Sequence, residues 1–175
     1  SSAYGGASGP SDPPSIETMP PFPASPYAAS NLAGEAAMTA WARTYSLSTV
    51  SLRFFNIFGP RQSADSAYAA VIAAFCRRLL AGEPPVIYGD GRQTRDFTFV
   101  SNAVLAMLRA ATPERPLAGE IINVGAGAGT SLLDLSARMA EACAAGSPAA
   151  AGAHPQPTFA PERAGDVRHS LADIS

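Results

Sequence analysis

Residues 49–59 read TVSLRFFNIFG and run into Pro60. β-Branched and aromatic residues fill a short apolar run without polar alternation, and the run stops at Gly-Pro. That is the pattern of a buried strand in a parallel sheet.

On either side the chain alternates between helix and strand signals. Residues 1–26 are polar, rich in Ser, Pro and Gly, and open on SSAYGG, which reads as a loop with no first strand. Ser25 as N-cap and Pro26 at the first helical position then start a helix that runs through Tyr45. Downstream, AYAAVIAAFCRRLLAGE (67–83) is an amphipathic helix ended by Gly82. PPVIYGDG (84–91) is a short strand entering a Gly-Asp-Gly turn, and RDFTFV (95–100) is another strand. SNAVLAMLRAA (101–111) predicts a helix capped near Ser101 or Asn102, EIINVG (120–125) a strand, and Ser131-x-x-Asp134 the capping box of a further helix. Residues 144–157 form a low-complexity connection, and the charge of PERAGDVRHSLADIS (161–175) follows it. Alternating strands and helices define an α/β fold.

Composition removes whole classes of function. The chain has 175 residues and a formal net charge of -2, and all 12 basic residues are arginine. Without lysine there is no intact Walker P-loop and no Schiff-base or pyridoxal-phosphate chemistry. Near-neutral charge argues against nucleic-acid and membrane-surface binding. Hydrophobic residues at 47% and charged residues at 15% fit a folded chain. Its length is that of one domain, able to bury about 68–70% of its unfolded surface. Cys76 and Cys143 read as reduced core residues, and with His154 and His169 they are too scattered for a metal site. No basic leader or long apolar run is present, so a cytoplasmic location is expected.

NVGAGAGTS (123–131) invites a dinucleotide-loop reading. The G-x-G-x-x-G fingerprint needs glycine where Thr130 stands and an acidic residue about 20 positions on. Asp134 and Glu141 are too close, so the stretch is read as a tight strand-to-helix turn.

SSAYG, YAASN (27–31), RFFNIFGPRQ (53–62), GDGRQTRDF (89–97) and ERAGDVR (162–168) stand in this order along the chain. Together they resemble the extended short-chain dehydrogenase/reductase family, and in particular its nucleotide-sugar epimerases. The family carries a Ser-x-Tyr-Gly loop, a Tyr-x-x-x-Lys helix, an Arg-Tyr-Phe-Asn strand, a Gly-Asp-Gly-x-x-x-Arg-Asp-Phe segment and an Arg-Pro-Gly-Asp-x-Arg segment. RQSADSAYAAVI (61–72) is similar to the UDP-hexose and UDP-N-acetylhexosamine 4-epimerases.

The resemblance implies the C-terminal part of a Rossmann-like parallel sheet plus a small mixed α/β substrate-binding subdomain. Residues 1–66 would end the NAD-binding domain and carry the active-site helix. Residues 67–175 would mostly bind the nucleotide-sugar, with some segments returning to the sheet. It also implies that Tyr27 removes a sugar hydroxyl proton while NAD accepts a hydride from the same carbon. The keto-sugar then turns over and takes the hydride back on its other face. A free phenol has a pKa of about 10, so only about one in a thousand is ionised at pH 7. The family answers this with the lysine one helical turn on.

Here that position is Asn31, which can hydrogen-bond a ribose hydroxyl but brings no charge. Impaired catalysis is therefore expected. The family's catalytic Ser or Thr would fall just before Ser1, and the glycine-rich pyrophosphate turn would lie further upstream, as if this were the back part of a longer epimerase.

Other roles follow from the same resemblance, each beside a plainer reading. Tyr27 and Asn31 would touch the cofactor, although a tyrosine at a helix start is usually a half-buried anchor. Phe54 and Phe55 would lie near the nicotinamide. Asn56 would meet the substrate diphosphate, or simply end a strand. Arg95 would bind the diphosphate, or form an exposed ion pair with Asp96. Arg163 and Asp166 would contact the diphosphate and nucleotide ribose, or belong to a solvated tail with Arg168 and His169. Val71 and Ile72 would line the uracil pocket, or form a helix core face. Small neutral Ser1, Ser2 and Ala3 stand where related dehydratases and decarboxylases carry acidic residues, which ranks 4-epimerisation of a UDP-sugar ahead of UDP-glucuronate decarboxylation or dehydration. A non-catalytic nucleotide-sugar-binding remnant is the alternative of another class. A homodimer built partly on the Tyr27 helix is expected.

Overall fold

A computed structural model describes all residues except 7–8, 10, 65–69, 147–154 and 164–165. Outside the described residues fall the first part of the helix expected from residue 67, most of the low-complexity connection with His154, and two residues of ERAGDVR. The elements are α1 (Pro26–Tyr45), β1 (Thr49–Phe54), β2 (Ile57–Phe58), α2 (Val71–Leu80), β3 (Val86–Tyr88), β4 (Thr94–Asp96), β5 (Thr98–Phe99), α3 (Val100–Ala111), β6 (Ala118–Val124), β7 (Gly129–Ser131), α4 (Leu132–Gly146) and β8 (Thr158–Ala160). Two compact units share them. One comprises Ser1–Ile57, Arg95–Gly129 and Val167–Ser175, and the other Phe58–Thr94 and Thr130–Asp166. Among the described residues, no helix is long and apolar enough to cross a membrane.

In the first unit, Ser25 caps α1 by accepting the Ala28 N–H at 3.1 Å, and Pro26 occupies the first turn, where a missing N–H costs nothing. β1 and β6 pair in parallel, from Val50 opposite Glu120 to Phe54 opposite Val124. α1 lies against this pair closely enough that a Cβ on Gly119 would stand 3.0 Å from the Thr39 Cα.

The strand expected over 49–59 is shorter than its apolar run. β1 ends at Phe54, the chain bends at Asn56, and the Asn56 carbonyl accepts the Thr98 N–H at 3.0 Å. Its apolar side chains are also only half-buried, because β6 is its one strand partner among the described residues. α3 starts at Val100 with no side-chain cap. β5 runs straight into it, so Phe99 takes the N-cap position and Ser101 and Asn102 fall inside the first turn. Residues 1–26 are more than a loop, since Ser2–Tyr4 form a short 3₁₀ turn and Ser15 bridges to Ala172. Tyr4, Phe55 and Ala172 form a core cluster with Met19 packed against it.

In the second unit, α2 packs on α4, and β3 pairs with β8 in parallel from Val86 opposite Thr158 to Tyr88 opposite Ala160. Phe75, Leu79, Ile87, Leu132 and Leu135 are buried. Ser131 opens α4 by accepting the Asp134 N–H at 3.0 Å and donating to the Asp134 carboxylate at 2.7 Å, a side-chain variant of the expected capping box. Gly89 and Gly91 take φ of 81° and 77° in the Gly-Asp-Gly turn, and a Cβ on Gly91 would meet Leu133 Cγ at 2.8 Å. Cys76 and Cys143 are free thiols on α2 and α4.

Candidate active site

Tyr27 stands in the first turn of α1 and is 70% exposed, so it is not a half-buried anchor. Asn31 follows one turn on, and its Nδ2 donates to Ser2 Oγ at 3.3 Å. The structure thus brings the SSAYG turn and the YAASN helix together, with the tyrosine phenol open to solvent beside them. An amide at this point can donate to or accept from a hydroxyl, but it cannot stabilise an anion by charge.

Behind this face lies a buried polar network with no counterpart among the sequence expectations. Arg53 on β1 is 4% exposed, and its Nε and Nη2 donate to Glu35 on α1 at 2.9 and 2.8 Å. The hydrogen-bonded Glu35 carboxylate raises the Arg53 pKa above the usual guanidinium value, against the opposing effect of burial. The guanidinium lies 4.6 Å from the Tyr4 ring centroid. Tyr4 in turn donates its hydroxyl to Asn123 Oδ1 at 2.7 Å, and Asn123 Nδ2 donates to the Ser15 carbonyl at 2.8 Å. The only sequence signal was the spacing of Glu35, four residues after Asn31 and eight after Tyr27.

Asp96 was expected in an exposed ion pair, yet it is fully buried. Its carboxylate accepts the N–H groups of Ala126 at 2.7 Å, Gly127 at 3.1 Å and Ala172 at 3.1 Å. A Cβ on Gly125 would stand 2.7 Å from Asp96 Oδ2 and 2.6 Å from the Ala172 Cβ, which leaves room for glycine alone. The glycine-rich turn therefore does form an anion cradle, but the anion is the chain's own carboxylate. This accounts physically for the failed dinucleotide fingerprint: the N–H groups of residues 126 and 127 are already taken.

The remaining candidates fall in both units. In the first, Asn56 is exposed at the end of β1 and Phe54 is half-buried. Phe55, expected beside the nicotinamide, is 1% exposed and belongs to the Tyr4 core, its ring centroid 6.1 Å from that of Tyr4. A side chain this enclosed has no surface left for a cofactor. Arg95 is 9% exposed, and its Nη1 donates to the Arg168 carbonyl at 3.4 Å. His169, assigned to a solvated tail, is buried at 8% exposure because residues 170–173 return along Ser15 to the Asp96 clamp. In the second unit, Val71 and Ile72 are half-buried at the start of α2. The exposed Arg163 stacks its guanidinium 3.7 Å from the Tyr88 ring centroid, and its carbonyl accepts the Asp166 N–H at 3.2 Å.

An α/β chain with a parallel strand pair and an exposed Tyr-x-x-x-Asn helix start has identifiable relatives. Residues 1–125 match the NAD dependent epimerase/dehydratase family. The UDP-glucose 4-epimerase of Mycolicibacterium smegmatis is 40% identical over 160 residues, which is 91% of this chain and 48% of that protein. The solved UDP-N-acetylglucosamine 4-epimerase of Methanobrevibacter ruminantium, in complex with UDP-N-acetylmuramic acid, superposes with a TM-score of 0.83 at 37% identity, covering 100% of this chain and 52% of that one. The Thermus thermophilus UDP-glucose 4-epimerase, solved in complex with NAD, gives 0.77 at 34% identity, covering 98% and 52%. The chain belongs to the NAD dependent epimerase/dehydratase family. It spans about half the length of these relatives.

Proposed function

We infer that this chain is the part of an NAD-dependent UDP-sugar 4-epimerase that carries the active-site helix and much of the nucleotide-sugar-binding surface. The observation that carries this reading is the meeting of the SSAYG turn with the YAASN helix through Asn31 and Ser2, beside an exposed Tyr27.

Tyr27 is the group that takes and returns the proton of the sugar C4 hydroxyl. NAD, when bound, supplies the reversible hydride acceptor. Asn31 offers its amide to a ribose hydroxyl, and its position and exposure suit that contact. It brings no positive charge to favour a phenolate, so proton abstraction is slow in this chain. Phe54 is the aromatic neighbour proposed for the nicotinamide, and Asn56, Arg95 and Arg163 are the proposed diphosphate contacts. Arginine suits that task because its planar fork meets phosphate oxygens in pairs. Arg163 would exchange its Tyr88 stacking for phosphate contact. Asp166 is proposed for the nucleotide ribose, and Val71 and Ile72 for the base. The pyrophosphate of NAD is not assigned to the glycine-rich turn, whose N–H groups hold Asp96. Free Cys76 and Cys143 support a reducing, cytoplasmic setting, and the alanine-rich α1 supports a homodimer.

The test is binding and turnover in the whole protein. UDP-glucose and NAD should each raise Tm, and UDP-galactose should convert slowly to UDP-glucose. Tyr27→Phe should abolish conversion while leaving the UDP-sugar shift in place. Absence of binding by either ligand would end the reading.

A further inference from the structure

Glu35 shares the face of α1 that carries Tyr27 and Asn31, since residues four apart on a helix are neighbours. Its carboxylate is gripped by both Nε and Nη2 of Arg53, and a two-pronged contact fixes angle as well as distance. Arg53 is anchored on the other side by β1, opposite Asn123 in the register with β6. Its guanidinium also covers the ring of Tyr4, the tyrosine of the SSAYG turn. Tyr4 and Asn123 are hydrogen-bonded to each other. One cation therefore contacts the helix bearing Tyr27 and the turn bearing Ser2.

This arrangement is poor value as stabilisation. Arg53 is 4% exposed and its Nη1 has no hydrogen-bond partner among the described residues, so burial of the guanidinium is only partly compensated. Apolar side chains of the same volume commonly do as well or better in such places. What the pair adds is direction: two parallel hydrogen bonds fix the angle of Glu35 against Arg53 as well as its distance.

We propose that the Glu35–Arg53 pair is a positioning device that holds the Tyr27 and Asn31 face of α1 in register with the SSAYG turn. The functional half of this inference rests on the epimerase reading; the geometric half does not. Without the pair, Tyr27 and Asn31 remain on the helix, but the Asn31–Ser2 contact loosens and proton transfer suffers more than ligand binding does.

The test compares Glu35→Gln with the double variant Glu35→Gln/Arg53→Met, which leaves no uncompensated buried charge. In protein labelled with ¹³C-tyrosine and ¹⁵N-asparagine, both variants should shift the Asn31 side-chain amide and Tyr27 ring signals, while the Tyr88 ring in the other unit stays in place. In UDP-galactose conversion, kcat should fall about tenfold with KM within about twofold. If the double variant fails to fold, Glu35→Gln decides, because it keeps the side-chain volume and one acceptor. Lowered Tm with unmoved signals and unchanged kcat would reduce the pair to a structural contact and overturn the proposal. If unsubstituted protein neither binds nor converts a UDP-sugar, the epimerase reading fails, and the signals of Asn31 and Tyr27 alone decide the positioning claim.

Discussion

Replacing Asp96 by asparagine tests whether the glycine-rich turn is built around an internal anion. The carboxylate is fully buried and accepts N–H groups from Ala126, Gly127 and Ala172. Gly127 and Ala172 both donate to Oδ2, and Ala126 donates to Oδ1. An asparagine can keep its oxygen toward the pair, but its NH₂ then faces the Ala126 N–H, donor against donor. Ala126 and Gly127 are at exposed residues where water can take over, so each contact costs only about 0.5–1.5 kcal/mol. Ala172 is 2% exposed, and weakening or orphaning its N–H costs about 1–3 kcal/mol. The expected loss is about 2–4 kcal/mol of unfolding free energy. Urea denaturation of the variant, beside an Asp173→Asn control at a half-buried site whose carboxylate accepts from the Ser175 N–H and hydroxyl, measures this difference. Amide exchange at residues 126, 127 and 172 should speed up together. A loss no greater than the control, with exchange unchanged, would refute the clamp.

Two further outcomes follow from the buried groups. Tyr4→Phe removes the hydroxyl that donates to Asn123 Oδ1 at 2.7 Å and should cost about 1–2 kcal/mol in the same assay; a loss under about 0.5 kcal/mol would contradict the network. Burial, with a smaller contribution from Cys76, pushes the Cys143 thiol up. A raised thiol pKa means less thiolate at any given pH, so iodoacetamide should label Cys143 more slowly than in urea-unfolded chain at pH 8 and catch up only as pH rises; equal rates in both states would contradict this.

The legible parts of the fold are those encoded within a few residues. Ser25 and Pro26 announce α1, Ser131 and Asp134 announce α4, and the β-branched run announces β1. Each depends on a local backbone requirement that one side chain or one short run satisfies. The polar interior depends on partners far apart in sequence, and no local pattern reports them. Tyr4 meets Asn123 across 119 residues, and Asp96 reaches Ala172 across 76. For the same reason Asp96 and His169 looked like surface charges when they are buried, and Phe55 looked available to a cofactor when it lies in the core. Tyr27 and Asn31, which the family motifs single out, both lie exposed on α1, because their positions follow from a single helix. They could not show that Asn31 reaches Ser2, which requires the turn and helix to pack together.

The decisive measurement of the proposed epimerase activity is interconversion of UDP-galactose and UDP-glucose by the whole protein with NAD, before and after Asn31→Lys. Asn31 lies one turn from Tyr27 and is exposed, so a lysine fits there without disturbing the fold. The expected result is slow conversion by the natural sequence and a gain of about 100-fold in kcat with lysine, because the charge would favour the phenolate proposed to take the proton. No conversion in either form, with UDP-sugar binding retained, would contradict it and leave a binding protein on an epimerase fold.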